Sequence, residues 1–183
     1  MMLVRFTKEC PGLAGSLGRL YGKDVLAQFA RDYCEAADRG GNAELGVARE
    51  EGVSFNPRIA RVVSLVIQEY AHITPDLLRV VAYSTVPLDG EIPVELRSDI
   101  SAVRDVTPER PEWIKCIALA LMLDRVRHLH MADIRSDEKE RMLTGFASSP
   151  ILAPETGSPE NLRLKLIHSI DMQRRRLHIE RGE

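Results

Sequence analysis

The chain has 183 residues, of which 44% are hydrophobic and 28% are charged, and its formal net charge is −2. This size suits one domain with a helical extension, and the near-neutral charge argues against general attraction to nucleic acid or to an anionic membrane surface. No stretch is apolar and long enough for a signal peptide or a membrane-spanning helix, and the three cysteines have no zinc-type spacing. A cytoplasmic protein with reduced thiols is therefore expected.

Helix starts recur along the chain. An apolar stripe over Val25–Tyr33 ends at Gly40-Gly41, where glycines favour a helix stop. Proline suits the first helical position, and a short polar residue before it can cap the helix. This combination predicts helix starts at Asn56-Pro57, Thr74-Pro75, Thr107-Pro108 and Ser158-Pro159. Two further helices are predicted to begin near Pro93 and at Ser136.

Apolar residues after these starts repeat at intervals of three and four, as on one face of a helix. The predicted inner positions are Ile59, Val62, Val63, Val66, Ile67, Tyr70, Leu77, Leu78, Val81, Ala82, Leu96, Ile100, Val103, Leu162, Leu166, Ile167 and Ile170. Residues 39–55 and 144–158 are rich in Gly, Ser, Pro and Glu and are predicted to be loops. No segment alternates as a strand would, so an all-α bundle of about 7–8 helices is predicted. Its parts are an N-terminal helical extension (1–50), a helical core (51–145) and a C-terminal loop and helix (146–183).

The helix predicted between Trp113 and Met131 carries an acid directly after an apolar run. Two opposite faces of this helix comprise Leu119, Met122, Val126 and Leu129 on one side and Ile117, Leu121, Asp124 and His128 on the other. Both faces are apolar in the first half, so the helix is predicted to be packed from two sides. A buried Asp124 would have to meet an arginine, helix amides or a divalent metal. His128 is one turn away and suits either a ligand pair or a simple contact.

The segment "LMLDRVRHLHM" resembles a helix of the stringent-response alarmone hydrolases, which belong to the HD superfamily of metal-dependent phosphohydrolases. Upstream, Asn56-Pro57 is similar to the family's His-Pro helix start, "DLLRVVAYSTV" to its segment ending in His-Asp, and "DISAVRDVT" to the helix that follows. The resemblance covers roughly residues 52–135. It implies an all-helical, HD-domain-like bundle in which a manganese-like ion activates water against a phosphate ester or pyrophosphate.

Most metal ligands implied by this resemblance are replaced. The first histidine corresponds to Asn56 and the His-Asp pair to Ser84 and Thr85, whereas Asp124 is kept and Arg125 follows it. Asp89 stands near an acidic pair that some members use to position water. Serine, threonine and asparagine offer neutral oxygens that hold a transition metal poorly, and without the metal its activation of water is lost. No metal or other cofactor is therefore expected.

Three functions stay open. The first is a degenerate HD-type domain, a non-catalytic binding or regulatory module for a nucleotide, another phosphate-bearing molecule or a protein partner. Its remnant site would comprise Asn56, Arg58, Arg61, Ser84, Thr85, Asp124, Arg125 and His128, with the arginines suited to phosphate oxygens if their helix ends converge. The second is a phosphohydrolase that holds manganese or another divalent metal through Asp124, His128 and His72. The third is a helical interaction protein whose helix 159–181 packs on a partner or a second copy.

Structural roles are the alternative for each site residue. The hydroxyls of Ser84 and Thr85 would bond to the backbone at the C-terminal turn of a helix. Asp124 would cap a helix or pair with an arginine, His128 would be a surface residue, and the arginines would be solvated.

Overall fold

A computed structural model describes residues 1–41, 57–87, 91–132 and 134–181. The helices are α1 (Met2–Glu9), α2 (Pro11–Asp38), α3 (Arg58–Glu69), α4 (Pro75–Ser84), α5 (Arg97–Arg104), α6 (Glu112–His128), α7 (Ser136–Ala147) and α8 (Glu160–Arg181). Short 3-10 turns lie at Val94–Leu96, Leu129–Met131, Pro150–Leu152 and Pro154–Thr156. No strand occurs in these ranges, which confirms the all-α class. None of the described helices combines the length and the apolar character needed to cross a membrane.

The chain divides into two compact units. The first comprises Met1–Ala43 with Ser54–Arg104, and the second comprises Glu44–Val53 with Asp105–Glu183. Helices α1–α5 belong to the first unit and α6–α8 to the second. Asn56, Asp89 and most of the predicted loop 39–55 lie outside the described residues. The predicted division into an extension, a core and a C-terminal part stays a prediction.

In the first unit, α2 packs against α1, α3 and α4, and α4 also packs against α3 and α5. Aromatic rings join α1 to α2, since the ring of Phe6 lies 5.4 Å from that of Phe29 and 4.9 Å from that of Tyr33, between centroids. Such pairs contribute about 0.5–1.5 kcal/mol beyond the area they bury. Phe29, Ala30 and Tyr33 are all buried, as the apolar stripe predicts.

Helix α2 is interrupted once and ends in two glycines. Gly22 has φ +88°, outside the helical region, so the chain bends there. At the C-terminus, the Gly40 N–H donates to Ala37 O at 3.0 Å and the Gly41 N–H donates to Ala36 O at 2.8 Å. Gly40 has φ +85°, and this pair of bonds is the Schellman arrangement that ends a helix. The predicted stop at Gly40-Gly41 is confirmed.

The predicted starts of α3 and α4 differ in detail. Thr74 Oγ1 accepts from the Leu77 N–H at 3.1 Å, and Pro75 is the first residue of α4, as predicted. Pro57 lies one residue before α3 rather than inside it. The predicted inner residues of α3, α4 and α5 are buried, namely Ile59, Val62, Val63, Val66, Leu77, Leu78, Val81, Ala82, Leu96, Ile100 and Val103, whereas Ile67 and Tyr70 are half-buried.

In the second unit, α8 packs against α6 and α7. Helix α6 is buried on several sides, because its buried residues are Ile114, Lys115, Cys116, Ile117, Ala118, Leu119, Ala120, Leu123, Asp124 and Val126. The prediction of a helix packed from two sides is confirmed. The same burial encloses two charged side chains, Lys115 and Asp124.

The predicted helix start at Thr107-Pro108 is wrong. The Arg110 N–H donates to Thr107 O in a turn, and α6 begins at Glu112, after Pro111. A helix begun at Pro108 would have to continue through Pro111, which lacks an N–H and disfavours the helical conformation of the residue before it. The chain therefore makes one turn and starts the helix after the second proline.

Two details around α8 also differ from prediction. Ile167 was predicted on the inner stripe but is 36% exposed, whereas Leu166 beside it is fully buried. Helix α7 extends to Ala147, so the first residues of the predicted loop 144–158 are helical, and two 3-10 turns lie further along that segment. Helix α8 itself follows Pro159, as predicted.

Candidate functional site

The residues predicted as a remnant site are divided between the two units. The first unit contains Arg58, Arg61, Ser84 and Thr85, and the second contains Asp124, Arg125 and His128. Asn56 lies outside the described residues.

Ser84 and Thr85 lie at the C-terminal end of α4, and both are buried. Ser84 Oγ donates to Val80 O at 2.7 Å, and Thr85 Oγ1 donates to Ala82 O at 2.7 Å. Each hydroxyl hydrogen is thus bonded to the backbone of the same helix. The predicted bonding of these two hydroxyls to the backbone is confirmed.

Two arginines of the first unit bind carbonyls just beyond α4. Arg58 Nη1 donates to Thr85 O at 3.4 Å, and Arg104 Nη2 donates to Val86 O at 2.6 Å. Helix C-termini carry unsatisfied carbonyls and a partial negative charge, so guanidinium groups are favourable there. Arg61 lies one turn after Arg58 on α3 and is half-buried. The structure therefore brings Arg58 and Thr85 together, with the arginine acting on the helix end.

The C-terminal end of α2 also packs against the C-terminal end of α4. A Cβ added at Gly41 would lie 2.8 Å from Ala36 O, 2.8 Å from Thr85 Oγ1 and 3.1 Å from Ile59 Cδ1. A side chain at Gly41 would therefore force its neighbours to shift, whereas glycine fits this packing as it is. The sequence predicted that Gly41 is part of a helix stop. Its close approach to Thr85 was not predicted and is seen only in the structure.

In the second unit, Asp124 is 3% exposed and lies one turn before His128 on α6. His128 Nδ1 lies 2.7 Å from Asp124 O and 3.5 Å from Asp124 Oδ1. A carbonyl oxygen only accepts, so Nδ1 carries the hydrogen of this bond and cannot also coordinate a metal. This geometry is the simple i,i+4 contact predicted for the pair. His128 is half-buried, and Arg125 is exposed.

No group of three or more His, Cys, Asp or Glu side chains suited to a metal ion exists among the residues that the structure describes. The ligand set suggested from the sequence, Asp124, His128 and His72, is not found as such a group. His72 lies in the predicted turn between α3 and α4, where its exposed ring is 6.0 Å from that of Tyr70.

A charged cluster between α2 and α4 was not predicted. Arg79 lies 3.3 Å from the buried Asp32 and 2.8 Å from Glu95, and Tyr83 donates its hydroxyl to Glu35 at 2.7 Å. Burial raises the pKa of the Asp32 carboxyl. The pKa of the Tyr83 hydroxyl is raised chiefly by burial and, to a smaller extent, by its hydrogen bond to Glu35. Asp32 and Glu35 belong to α2, Arg79 and Tyr83 belong to α4, and Glu95 lies in the 3-10 turn before α5. The contacts of Arg79 and Tyr83 therefore join α4 to α2. Helical spacing predicts that Asp32 and Glu35 lie on the same side of α2. It does not predict that this side meets α4.

Lys115 is the second feature that sequence reasoning missed. It lies between Ile114 and Cys116, and its Nζ donates to Pro108 O and Thr156 O. The signal was present, because a lysine within the apolar run "WIKCIALAL" is unusual for a helix buried on several sides.

Comparisons of the chain with protein-family models, with curated proteins and with solved structures give no match. The resemblance to the HD superfamily therefore rests on the sequence pattern of residues 52–135, and it stays a prediction.

Proposed function

We propose that this chain is a degenerate HD-type helical domain that acts by binding rather than by phosphohydrolysis. The observation that carries the proposal is the bonding of Ser84 and Thr85, which correspond to the His-Asp ligand pair in the resemblance. Both hydroxyls are buried and donate to carbonyls of α4 at 2.7 Å. We also propose a cytoplasmic location, because reduced thiols are typical of that compartment. The free cysteines are Cys10, Cys34 and Cys116.

The chemistry of these positions supports a loss of activity. A serine or threonine hydroxyl is a neutral oxygen ligand, which holds a transition metal more weakly than an imidazole or a carboxylate does. Without the imidazole and the carboxylate that the resemblance implies at these two positions, the domain would lack donors that let an ion activate water at neutral pH.

A hydrolysis assay tests this proposal. The purified full chain is incubated with manganese and, in separate reactions, with a nucleoside triphosphate and with an alarmone-type pyrophosphate. The matched variant is Asp124→Asn. We expect equal background rates for both proteins. Manganese-dependent turnover by the wild type that Asp124→Asn abolishes would overturn the proposal and favour the phosphohydrolase alternative.

The ligand class that we favour is a protein partner, with a second copy of the chain included. Four large apolar side chains of α8 are exposed, namely Leu164 (49%), Ile167 (36%), Met172 (52%) and Ile179 (77%). A phosphate-bearing molecule is the second candidate, but Arg58 and Arg104 already serve the end of α4, which weakens the case for it.

Surface variants separate these two candidates better than truncation. Removing α8 would also remove Leu162, Leu166, Ile170 and Leu177 from the core. We therefore choose Leu164→Ser with Ile179→Ser, which changes exposed positions only. Light scattering is expected to show a lower mass or weaker partner binding for this variant at unchanged melting temperature. Unchanged association, together with saturable binding of inorganic phosphate or a nucleotide, would favour the phosphate candidate.

A further inference from the structure

Lys115 is a buried lysine on α6, with an exposed fraction of 5%. Its neighbours Ile114 and Cys116 are buried as well. Lysine is almost never buried without partners, because removing an ammonium group from water costs several kcal/mol unless other groups replace the water. The groups around Lys115 Nζ therefore act as a binding site for a cation.

The partners of Nζ are carbonyl oxygens from two separate segments of the second unit. Pro108 O lies 3.1 Å away in the turn that precedes α6, and Thr156 O belongs to the 3-10 turn that precedes α8. Glu109 adds negative charge to the first segment. Its pKa is lowered, chiefly by the Thr107 hydroxyl, with smaller contributions from the positive charges of Lys115 and Arg110.

The second segment is held closed by its own hydroxyls. Thr156 Oγ1 shares its single hydrogen between Ala153 O at 2.8 Å and Ile151 O at 3.1 Å, and Ser158 Oγ donates to Ile151 O at 2.9 Å. Gly157 has φ +64°, and a Cβ there would lie 3.7 Å from Lys115 Nζ. The hydroxyls satisfy the inner carbonyls, and Thr156 O is the one that faces the ammonium.

We propose that the turn at 107–110 and the segment 150–158 form a cation cradle of main-chain oxygens whose resident ligand is the ammonium of Lys115. The ligand class is a small primary ammonium ion, which the chain supplies itself. The cradle fixes the chain at the entry to α8 through a charge, in addition to the buried Ile151 and Leu152. This inference is independent of the proposed function.

Chemical rescue tests the cradle directly. Lys115→Ala removes the ammonium and most of its carbon chain, and n-propylammonium supplies both missing parts. We expect Lys115→Ala to melt below the wild type, and n-propylammonium to raise the melting temperature of the variant by about 3 °C more than that of the wild type. Tetramethylammonium at the same concentration has no N–H to donate and should not do so. Equal shifts for the variant and the wild type would overturn the proposal.

A measurement on the wild type keeps the proposal testable if Lys115→Ala does not fold. The side-chain ¹⁵N signal of Lys115, assigned through its own side-chain carbons, should show an ammonium whose protons exchange slowly with water. Lys115→Met keeps most of the length of the side chain without the charge, and amides of residues 151–158 should exchange faster in it than in the wild type. An ammonium of Lys115 that exchanges as fast as those of the exposed Lys8 and Lys23 would overturn the proposal.

Discussion

Gly41 and Thr85 approach each other so closely that a Cβ at Gly41 would lie 2.8 Å from Thr85 Oγ1. The same Cβ would lie 2.8 Å from Ala36 O, which is backbone and cannot move independently of α2. The C-terminal ends of α2 and α4 are thus packed around a glycine. This contact sets the position of Thr85, whose hydroxyl is then bonded to Ala82 O.

Gly41→Ala is predicted to lower the free energy of unfolding by about 1–3 kcal/mol, because the added methyl group overpacks a buried contact. Gly145→Ala is the matched control, since nothing lies within 4 Å of a Cβ there and the site is an exposed position of α7. That control should stabilise the protein by about 0.5–1 kcal/mol through helix propensity. Urea unfolding measures both changes. A neutral Gly41→Ala would contradict the close approach.

Thr85→Val keeps the shape of the side chain and removes its hydroxyl. The expected loss is about 0.5–1.5 kcal/mol, which is the usual net contribution of one hydrogen bond. Thr85→Ser keeps the hydroxyl and serves as the control when the affinity for a metal or a phosphate compound is measured. If Thr85→Val changed the affinity for a metal or a phosphate compound while its stability stayed the same, the hydroxyl would have a binding role instead of a structural one.

Asp32 gives the stability a pH dependence. Burial raises the pKa of its carboxyl, although the Gln28 amide and the Arg79 guanidinium oppose this. A raised pKa means that the folded state binds the proton more tightly than the unfolded state does. The contribution of Asp32 is therefore greatest below the pKa of the unfolded chain, about 3.9, and falls as pH rises through the folded pKa.

Asp32→Asn removes this titration. We expect the unfolding free energy of the variant, minus that of the wild type, to increase as pH rises from about 4 to 7. Urea unfolding of both proteins at several pH values measures the trend. A difference that decreases over this window would show that the pairing with Arg79, at 3.3 Å, outweighs burial.

Two leucines of α8 separate its inner and outer faces. Leu166 is fully buried, whereas Leu164 is 49% exposed. Leu166→Ala is expected to lower the free energy of unfolding by about 2–5 kcal/mol, and Leu164→Ala should change it by less than about 0.5 kcal/mol. Thermal or urea unfolding compares the two. Similar losses at both positions would contradict the placement of this helix.

The sequence predicted much of the local structure, because helical periodicity and capping residues act over short distances. Thr74 caps α4, Gly40 ends α2 and Asp124 is buried, as their neighbours in sequence indicated. The start of α6 was predicted wrongly, because a helix that begins at Pro108 cannot readily continue through Pro111.

The features that the sequence did not predict are those that depend on tertiary contacts. Lys115 binds a carbonyl of a residue far away in sequence, and Arg79 of α4 meets Asp32 of α2. The two hydroxyls at Ser84 and Thr85 lie between these cases. A resemblance placed them at ligand positions, and the tendency of serine and threonine to bond to their own helix predicted the hydrogen bonds that the structure shows.

Bound manganese tests the central claim most directly. The wild type and Asp124→Asn, both stripped with a chelator, are titrated with Mn²⁺ while bound metal and melting temperature are recorded. We predict no stoichiometric binding and the same melting temperature with and without the ion for the wild type, since only a ligand that binds the folded state raises it. One tightly bound Mn²⁺ per chain, with a rise in melting temperature that Asp124→Asn abolishes, would contradict the claim.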